Sequence, residues 1–283
     1  MQPLRLLSVH AHPDDEASKG AATVAKYVAE GIDVMIATCT GGERGDVLNP
    51  KLKNEEVKEK LAEIRKQEMA KSIEILGAKH TWLGFIDSGY PEGDPKPALP
   101  EGCFADISIE EAAKPLIKLI REFKPQVVIT YDENGGYPHP DHIRTHEITM
   151  FAYEHSGRRN DFPELGEPWQ IYKVYYQKGF NFSQMMAIDN AFKELEKTNP
   201  YAEWMVDMED DSDLITTKID CAKYFEKRDE ALKAHATQVD PEGDWFALPT
   251  EIIKKIWPTE DYQLAISRVA VETPETDLFQ GLR

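Results

Sequence analysis

The sequence predicts an α/β protein: a Rossmann-like, mostly parallel sheet with helices on both faces, plus a smaller C-terminal extension packing over the active-site side. Short apolar, β-prone runs alternate with longer stretches of helical period through residues 4–131, the rhythm of a parallel sheet wound with helices. The runs end in turns carrying glycine, histidine and acidic residues, where such sheets bind ligands. At 283 residues the chain is long enough to bury a substantial core.

Residues 4–10 are the first predicted strand. Residues 17–30 place small and apolar side chains at helical spacing and stop at Gly31, a helix C-terminal signal. Residues 33–40, with Val34, Ile36, Ala37 and Cys39, read as a second buried strand ending in the turn Gly41-Gly42. Residues 55–76 carry Val57, Leu61, Ile64, Met69, Ile73 and Leu76 at helical spacing, closed by Gly77. A third strand is expected at 80–85, an irregular proline-rich loop at 91–100, a helix at 109–123 and a fourth strand at 126–131. Beyond Ser156 the rhythm changes: 174–180 reads as a strand, 182–197 and 219–236 as helices, and the tail, with Pro249, Pro258 and Pro274, wraps over the core. The expected organisation is a metal-binding catalytic core over 1–155. The extension over 156–283 completes the same domain and the substrate pocket.

The net charge of -18, from 51 acidic and 33 basic residues, argues against nucleic acid or an anionic membrane as partner. The acidic run at 207–213 reads as a solvated loop. The sequence has no apolar stretch long enough to span a membrane, and the apolar start is too short for a signal peptide, so the expected location is the cytoplasm. Cys39, Cys103 and Cys221 are odd in number and widely spread, which disfavours disulfides or a thiolate metal site.

Two clusters carry the chemistry. His-Pro-Asp-Asp at 12–15 follows the first strand, and His-Pro-Asp-His at 139–142 follows the fourth. Gly41, Gly42, Glu43 and Arg44 follow the second strand, Asp87 the third, and Asp132, Tyr137 and Asp141 join the fourth, so four strand ends face one pocket. Nitrogen and carboxylate ligands without sulfur suit zinc or ferrous iron equally, and His12, Asp15 and His142 are expected to hold one Zn2+ or Fe2+ per chain. Asp14 cannot easily share that ion with Asp15 in so tight a turn, which leaves it free as general base. His139, if protonated, would stabilise the oxyanion and donate to a leaving amine, and Asp141 is placed to orient it.

Blander readings compete. Asp14 or Asp15 after His-Pro would also cap the first helix, and a lone His-Pro-Asp-His is more often a turn than a site. The two clusters together, on strands one and four of one sheet, favour the metal. His10 reads as a packed histidine, and His80, His146 and His155, with no cluster around them, as structural. Lys19, four residues after Asp15, shares its helical face and could contact a substrate, against the reading of an exposed helix lysine. Glu43 and Arg44 after a Gly-Gly turn suit recognition of sugar hydroxyls. Arg65 and Asp87 are weaker sugar-binding candidates, and Arg65 lies in a helix crowded with charge. His235 either reaches the pocket or docks the extension.

These residues resemble the LmbE-like (PIG-L type) N-deacetylase superfamily, which carries the His-Pro-Asp-Asp and His-x-x-His pair on this kind of sheet. Thr-Gly-Gly-Glu-Arg-Gly at 40–45, residues 130–144 and Ala-Leu-Lys-Ala-His-Ala-Thr-Gln at 231–238 resemble the actinobacterial mycothiol enzymes. Ser-Lys-Gly at 18–20, Trp-Leu-Gly-Phe-Ile-Asp-Ser-Gly at 82–89 and Pro-Glu-Thr-Asp-Leu-Phe at 274–279 resemble the S-conjugate amidase branch more than its deacetylase relatives. The likeness runs the length of the chain, and no metal or catalytic position departs from it. The resemblance implies zinc on His12, Asp15 and His142, Asp14 as base, and Tyr137 and His139 at the oxyanion and leaving group. It implies a small-molecule partner, a thiol conjugate, whose amide is hydrolysed to a mercapturic acid and glucosaminyl-inositol in detoxification. The nearest rival is deacetylation of N-acetylglucosaminyl-inositol. A catalytically silent metal- or sugar-binding protein is disfavoured by the presence of Asp14, His139 and Asp141. A phosphoesterase is disfavoured by the acidic charge.

Overall fold

The computed structural model describes residues 3–283. Among them a seven-stranded sheet runs in the order β3-β2-β1-β4-β5-β7-β6. The strands are β1 (Arg5–His10), β2 (Asp33–Thr40), β3 (Lys79–Phe85), β4 (Val127–Thr130), β5 (Lys173–Gln177), β6 (Thr217–Asp220) and β7 (Thr259–Ser267). The first five pair in parallel, and β7 runs antiparallel to both β5 and β6. The predicted α/β class and parallel core are observed.

Period-two burial explains the layering. Leu6, Ile36, Val127 and Tyr175 point to one face, where they meet α2 (Ala21–Ala29), α4 (Leu61–Leu76) and α8 (Phe225–Ala234). Leu7, Val9, Val128 and Val174 point to the other, against α5 (Ile109–Phe123) and α6 (Pro140–His155). A third, smaller cluster joins α7 (Phe182–Glu194) to α9 (Thr250–Ile256) through Met185, Ile188, Phe192, Leu248 and Ile253. No described helix is long and apolar enough to cross a membrane.

Several elements differ from expectation for identifiable reasons. The stretch 17–30 is two helices, α1 (Asp15–Ser18) and α2, because Lys19 is extended and Gly20 takes φ +91. A Cβ at Gly20 would lie 2.7 Å from Gln177 Nε2, so glycine permits both the break and the approach of β5. The stretch 55–76 likewise divides at Lys60 into α3 (Glu55–Glu59) and α4. The stretch 219–236 begins as strand β6, and its helix starts only at Phe225. Strand β7 has no counterpart in the predicted elements. Beyond it the tail returns to the sheet: Glu275, fully buried, pairs with Lys173 and accepts from Tyr175 Oη (2.8 Å) and Thr217 Oγ1 (3.2 Å).

Candidate metal and active site

The strand order reverses direction between β1 and β4, the switch point at which open α/β sheets form a crevice. The two histidine clusters sit there, one on the turn after β1 and one at the start of α6. Asp15, the first residue of α1, has its Oδ2 3.3 Å from His142 Nε2 and 3.7 Å from His12 Nδ1. Each of these three side chains is buried, and their ligand atoms lie within 4.8 Å of one another.

Neighbouring groups fix both imidazoles for ligation. His142 Nδ1 lies 2.9 Å from the Gly135 carbonyl, which can only accept, so the proton is on Nδ1 and the lone pair on Nε2. That Nε2 is buried without a hydrogen-bond partner, the state expected of a metal ligand. Gly135 is required here: its φ is +74, and a Cβ would meet that of His142 at 2.6 Å. Tyr131 stacks on the His142 ring (centroids 4.4 Å, 11°). His12 Nε2 donates to Asp141 Oδ2 (3.1 Å), which turns Nδ1 toward Asp15. This is a carboxylate–histidine–metal relay, and Ser88 N–H donates to the same oxygen (3.0 Å).

Asp141 therefore serves His12, whereas the sequence suggested His139. His139 N-caps α6 and accepts the Asp141 backbone N–H on Nδ1 (3.1 Å), which leaves its proton on Nε2. Burial, with His12 and His142 nearby, lowers its pKa to about 3. His139 is thus a neutral N–H donor, so the condition attached to its role from the sequence, that it be protonated on both nitrogens, is not met. His12, Asp87 and His139 also come within 4.8 Å of one another. There, however, His12 faces Asp87 with the Nε2 that donates to Asp141, whereas the orphaned lone pair belongs to His142.

The pocket is built for positive charge. Burial alone would lower His12, but bonds to Asp141 and Asp87 and the charge of Asp15 raise its pKa to about 10. Burial would raise Asp15, yet His142, Lys19 and His12 hold it well below the usual carboxylate range. Two imidazoles, one ionised carboxylate and no thiolate suit zinc or ferrous iron.

Asp14 sits at φ +94, a strained backbone for a residue with a side chain. Its N–H donates to Glu16 Oε2 (3.0 Å), while Glu16 Oε1 accepts from Ser72 Oγ and pairs with His235 Nε2, both at 2.6 Å. His235 therefore docks the extension, and it reaches the site only through Glu16. The Arg65 guanidinium donates to the Pro13 carbonyl (2.6 Å), the Gly42 carbonyl (2.9 Å) and Asp14 Oδ2 (3.3 Å). Arg65 is buried and clasps the turns after β1 and β2, so it does not lie on the solvated face suggested by its charged helix. Burial raises the pKa of Asp14, and Arg65 opposes it.

Lys19 Nζ lies 2.6 Å from Asp15 Oδ1. Across the crevice, Asp87 accepts from Arg44 N–H (3.0 Å) and Gly89 N–H (2.8 Å), and Glu43 accepts from Asp87 N–H (2.9 Å). Glu43, Arg44 and Asp87 thus brace one another at the ends of β2 and β3. Tyr137, 46% exposed, places its ring 4.5 Å from that of His142 at the mouth. Sequence reasoning assigned no role to Glu16, Ser72, Ser88, Tyr131 or Gly135. Only the buried-strand position of Tyr131 offered a signal.

Residues 7–153 match the family described as PIG-L: GlcNAc-PI de-N-acetylase, and the chain belongs to that family. Among its relatives, mycothiol S-conjugate amidase of Streptomyces coelicolor is 54% identical over 99% of this chain and 98% of its own length. The 1D-myo-inositol 2-acetamido-2-deoxy-alpha-D-glucopyranoside deacetylase of Streptomyces avermitilis is 38% identical over 98% of this chain and 97% of its own. The fold is similar to N,N'-diacetylchitobiose deacetylase from Pyrococcus horikoshii (TM-score 0.63, 19% identity, 92% of this chain and 83% of the other).

Proposed function

We propose that the chain is a zinc- or ferrous-dependent amidase that hydrolyses mycothiol S-conjugates to a mercapturic acid and glucosaminyl-inositol, detoxifying electrophiles in the cytoplasm. The observation that carries this reading is the 54% identity to an S-conjugate amidase, which extends through the residues after 153. The deacetylases of the same family stand lower, at 36–40%.

A divalent ion on His12 Nδ1, Asp15 and His142 Nε2 would supply a Lewis acid that acidifies water and polarises the amide carbonyl. Asp14 takes the proton of the attacking water. Arg65 engages one of its oxygens, and the Glu16 bond to its N–H keeps the strained turn in place. His139 Nε2–H and the Tyr137 hydroxyl donate to the oxyanion as charge develops there. The proton held by Asp14 then passes to the departing amine, so water is divided between carboxylate and amine. Glu43, Arg44 and Asp87 face the sugar, and Lys19 faces the acyl side.

The test offers the metal-loaded protein an S-conjugate and N-acetylglucosaminyl-inositol together and quantifies free amine from each, with Asp14→Ala as control. Preference for the conjugate, lost in the variant, is expected. Preference for the acetyl sugar would assign the deacetylase reaction, and turnover of neither would refute the substrate class.

A further inference from the structure

Beyond the metal crevice, on the same carboxyl edge of the sheet, lies a hollow that none of the steps above uses. At its inner end are Ser18, Lys19 and Gly20, where α1 stops and α2 begins, with Gln177 from the end of β5. Lys19 ties this end to the metal site: its Nζ is on Asp15, and its carbonyl accepts from Gln177 Nε2 (2.6 Å). Gln177 is more than nine-tenths buried, and its Oε1 has no partner. Away from Lys19 the wall is mostly apolar, with Phe180, Ile188, Phe192, Leu232, Trp245 and Leu248, and Arg228, Asp229, Asp244, Glu260 and Asp261 also border the space. The space is about 120 Å3. An apolar protein cavity of roughly 150 Å3 stays dry and admits benzene, so this hollow is of a size for one ring.

We infer that this hollow is the subsite for the S-substituent of the conjugate, and that it selects an apolar group of about one ring. The inference rests on the amidase reading above. Direction along the crevice supports it. His12 turns Nε2 toward Asp87 and Nδ1 toward Asp15, so the sugar-facing groups and Lys19 lie on opposite sides of the His12 ring. With the amine half of the amide toward Asp87, the acyl half points to Lys19. Only Cα and Cβ of the cysteinyl unit then separate the scissile carbonyl from sulfur, so a group on sulfur starts beside the Lys19 end of the hollow. A bare acetyl group would leave the hollow empty.

The experiment compares S-benzyl and S-methyl conjugates on the metal-loaded enzyme and, in parallel, measures calorimetric binding of S-benzyl-N-acetylcysteine and N-acetylcysteine. Wild-type kcat/KM is expected to favour benzyl by at least about tenfold, the lower end of what filling an apolar pocket gains. Ile188→Trp, which fills the hollow, removes that advantage and leaves the methyl conjugate within about twofold. Trp245→Ala, at a 42% exposed wall residue, weakens benzyl selectively if the larger replacement fails to fold. Equal rates for benzyl and methyl in the wild type, or equal losses for both in the variants, would overturn the subsite while leaving the amidase reading intact. If neither conjugate is cleaved, that reading fails. Tighter binding of the benzyl thioether, lost in Ile188→Trp, would still support the subsite, and indifference to the ring would overturn it.

Discussion

Replacing Asp141 by alanine separates two roles for one carboxylate. Its Oδ2 receives both His12 Nε2–H (3.1 Å) and Ser88 N–H (3.0 Å) in a place with no solvent exposure. Asp141→Ala leaves both donors unpartnered and frees the His12 ring to turn, so Nδ1 is no longer held toward Asp15. Loss of such an outer partner weakens metal binding by about 10–100-fold, which is about 1.4–2.7 kcal/mol. Asp141→Asn keeps an acceptor oxygen and loses only the charge, so it should fall between wild type and alanine. Zinc affinity, measured by competition with a chromogenic chelator, reads this directly. An alanine variant that binds zinc as tightly as wild type, yet turns over slowly, would refute the reasoning. It would place the carboxylate in the service of His139, as the sequence alone suggested.

Asp14→Ala should retain zinc but lose about 10²–10⁴-fold in kcat, the usual worth of a general base; retention of activity would remove Asp14 from that role. Glu275→Ala leaves the Lys173 ammonium buried without its partner and should cost about 3–5 kcal/mol in urea unfolding, whereas a loss below about 1 kcal/mol would contradict the pairing. Asp277 accepts from Arg283 Nε (2.6 Å), Phe279 N–H (3.1 Å) and Tyr27 Oη (2.9 Å). Burial works against its charge, yet these bonds, led by Arg283, hold its carboxyl below the usual range. Its folded pKa is therefore lower than the unfolded value of about 3.9, so its stabilisation is present above that pH and is lost as pH falls through the folded value. The stability gap between wild type and Asp277→Asn should be constant near neutrality and narrow below about pH 4; a gap unchanged by acid would sink the assignment.

The parallel half of the sheet was legible because β1, β2 and β4 are buried on both faces and read as continuous apolar runs. Strand β7 was not, since Thr259, Glu260, Asp261 and Gln263 interrupt its apolar residues and it pairs antiparallel with strands distant in sequence. The site followed a rule of topology, polar residues at the carboxyl ends of parallel strands, and the structure brings His12, Asp15 and His142 together. Contacts to backbone left no such trace. Nothing in the sequence around Arg65 reveals that it binds the carbonyls of Pro13 and Gly42, or that the Asp141 carboxylate turns toward His12 while its N–H faces His139. Glu16 and His235 lie 219 residues apart, and only the docked extension joins them.

Because β7 runs against its neighbours, its first residues, not its last, arrive at the edge where the crevice lies. Thr259, Glu260 and Asp261 reach it through α9 from the segment carrying Trp245, Phe246 and Leu248. That segment can change length or side chains without shifting any strand that carries a metal ligand. The matched family region closes at residue 153, ahead of all of it. If the hollow is the subsite proposed above, most of its wall lies outside the stretch that carries the metal-site residues, and changes there retune the guest while those residues stay fixed.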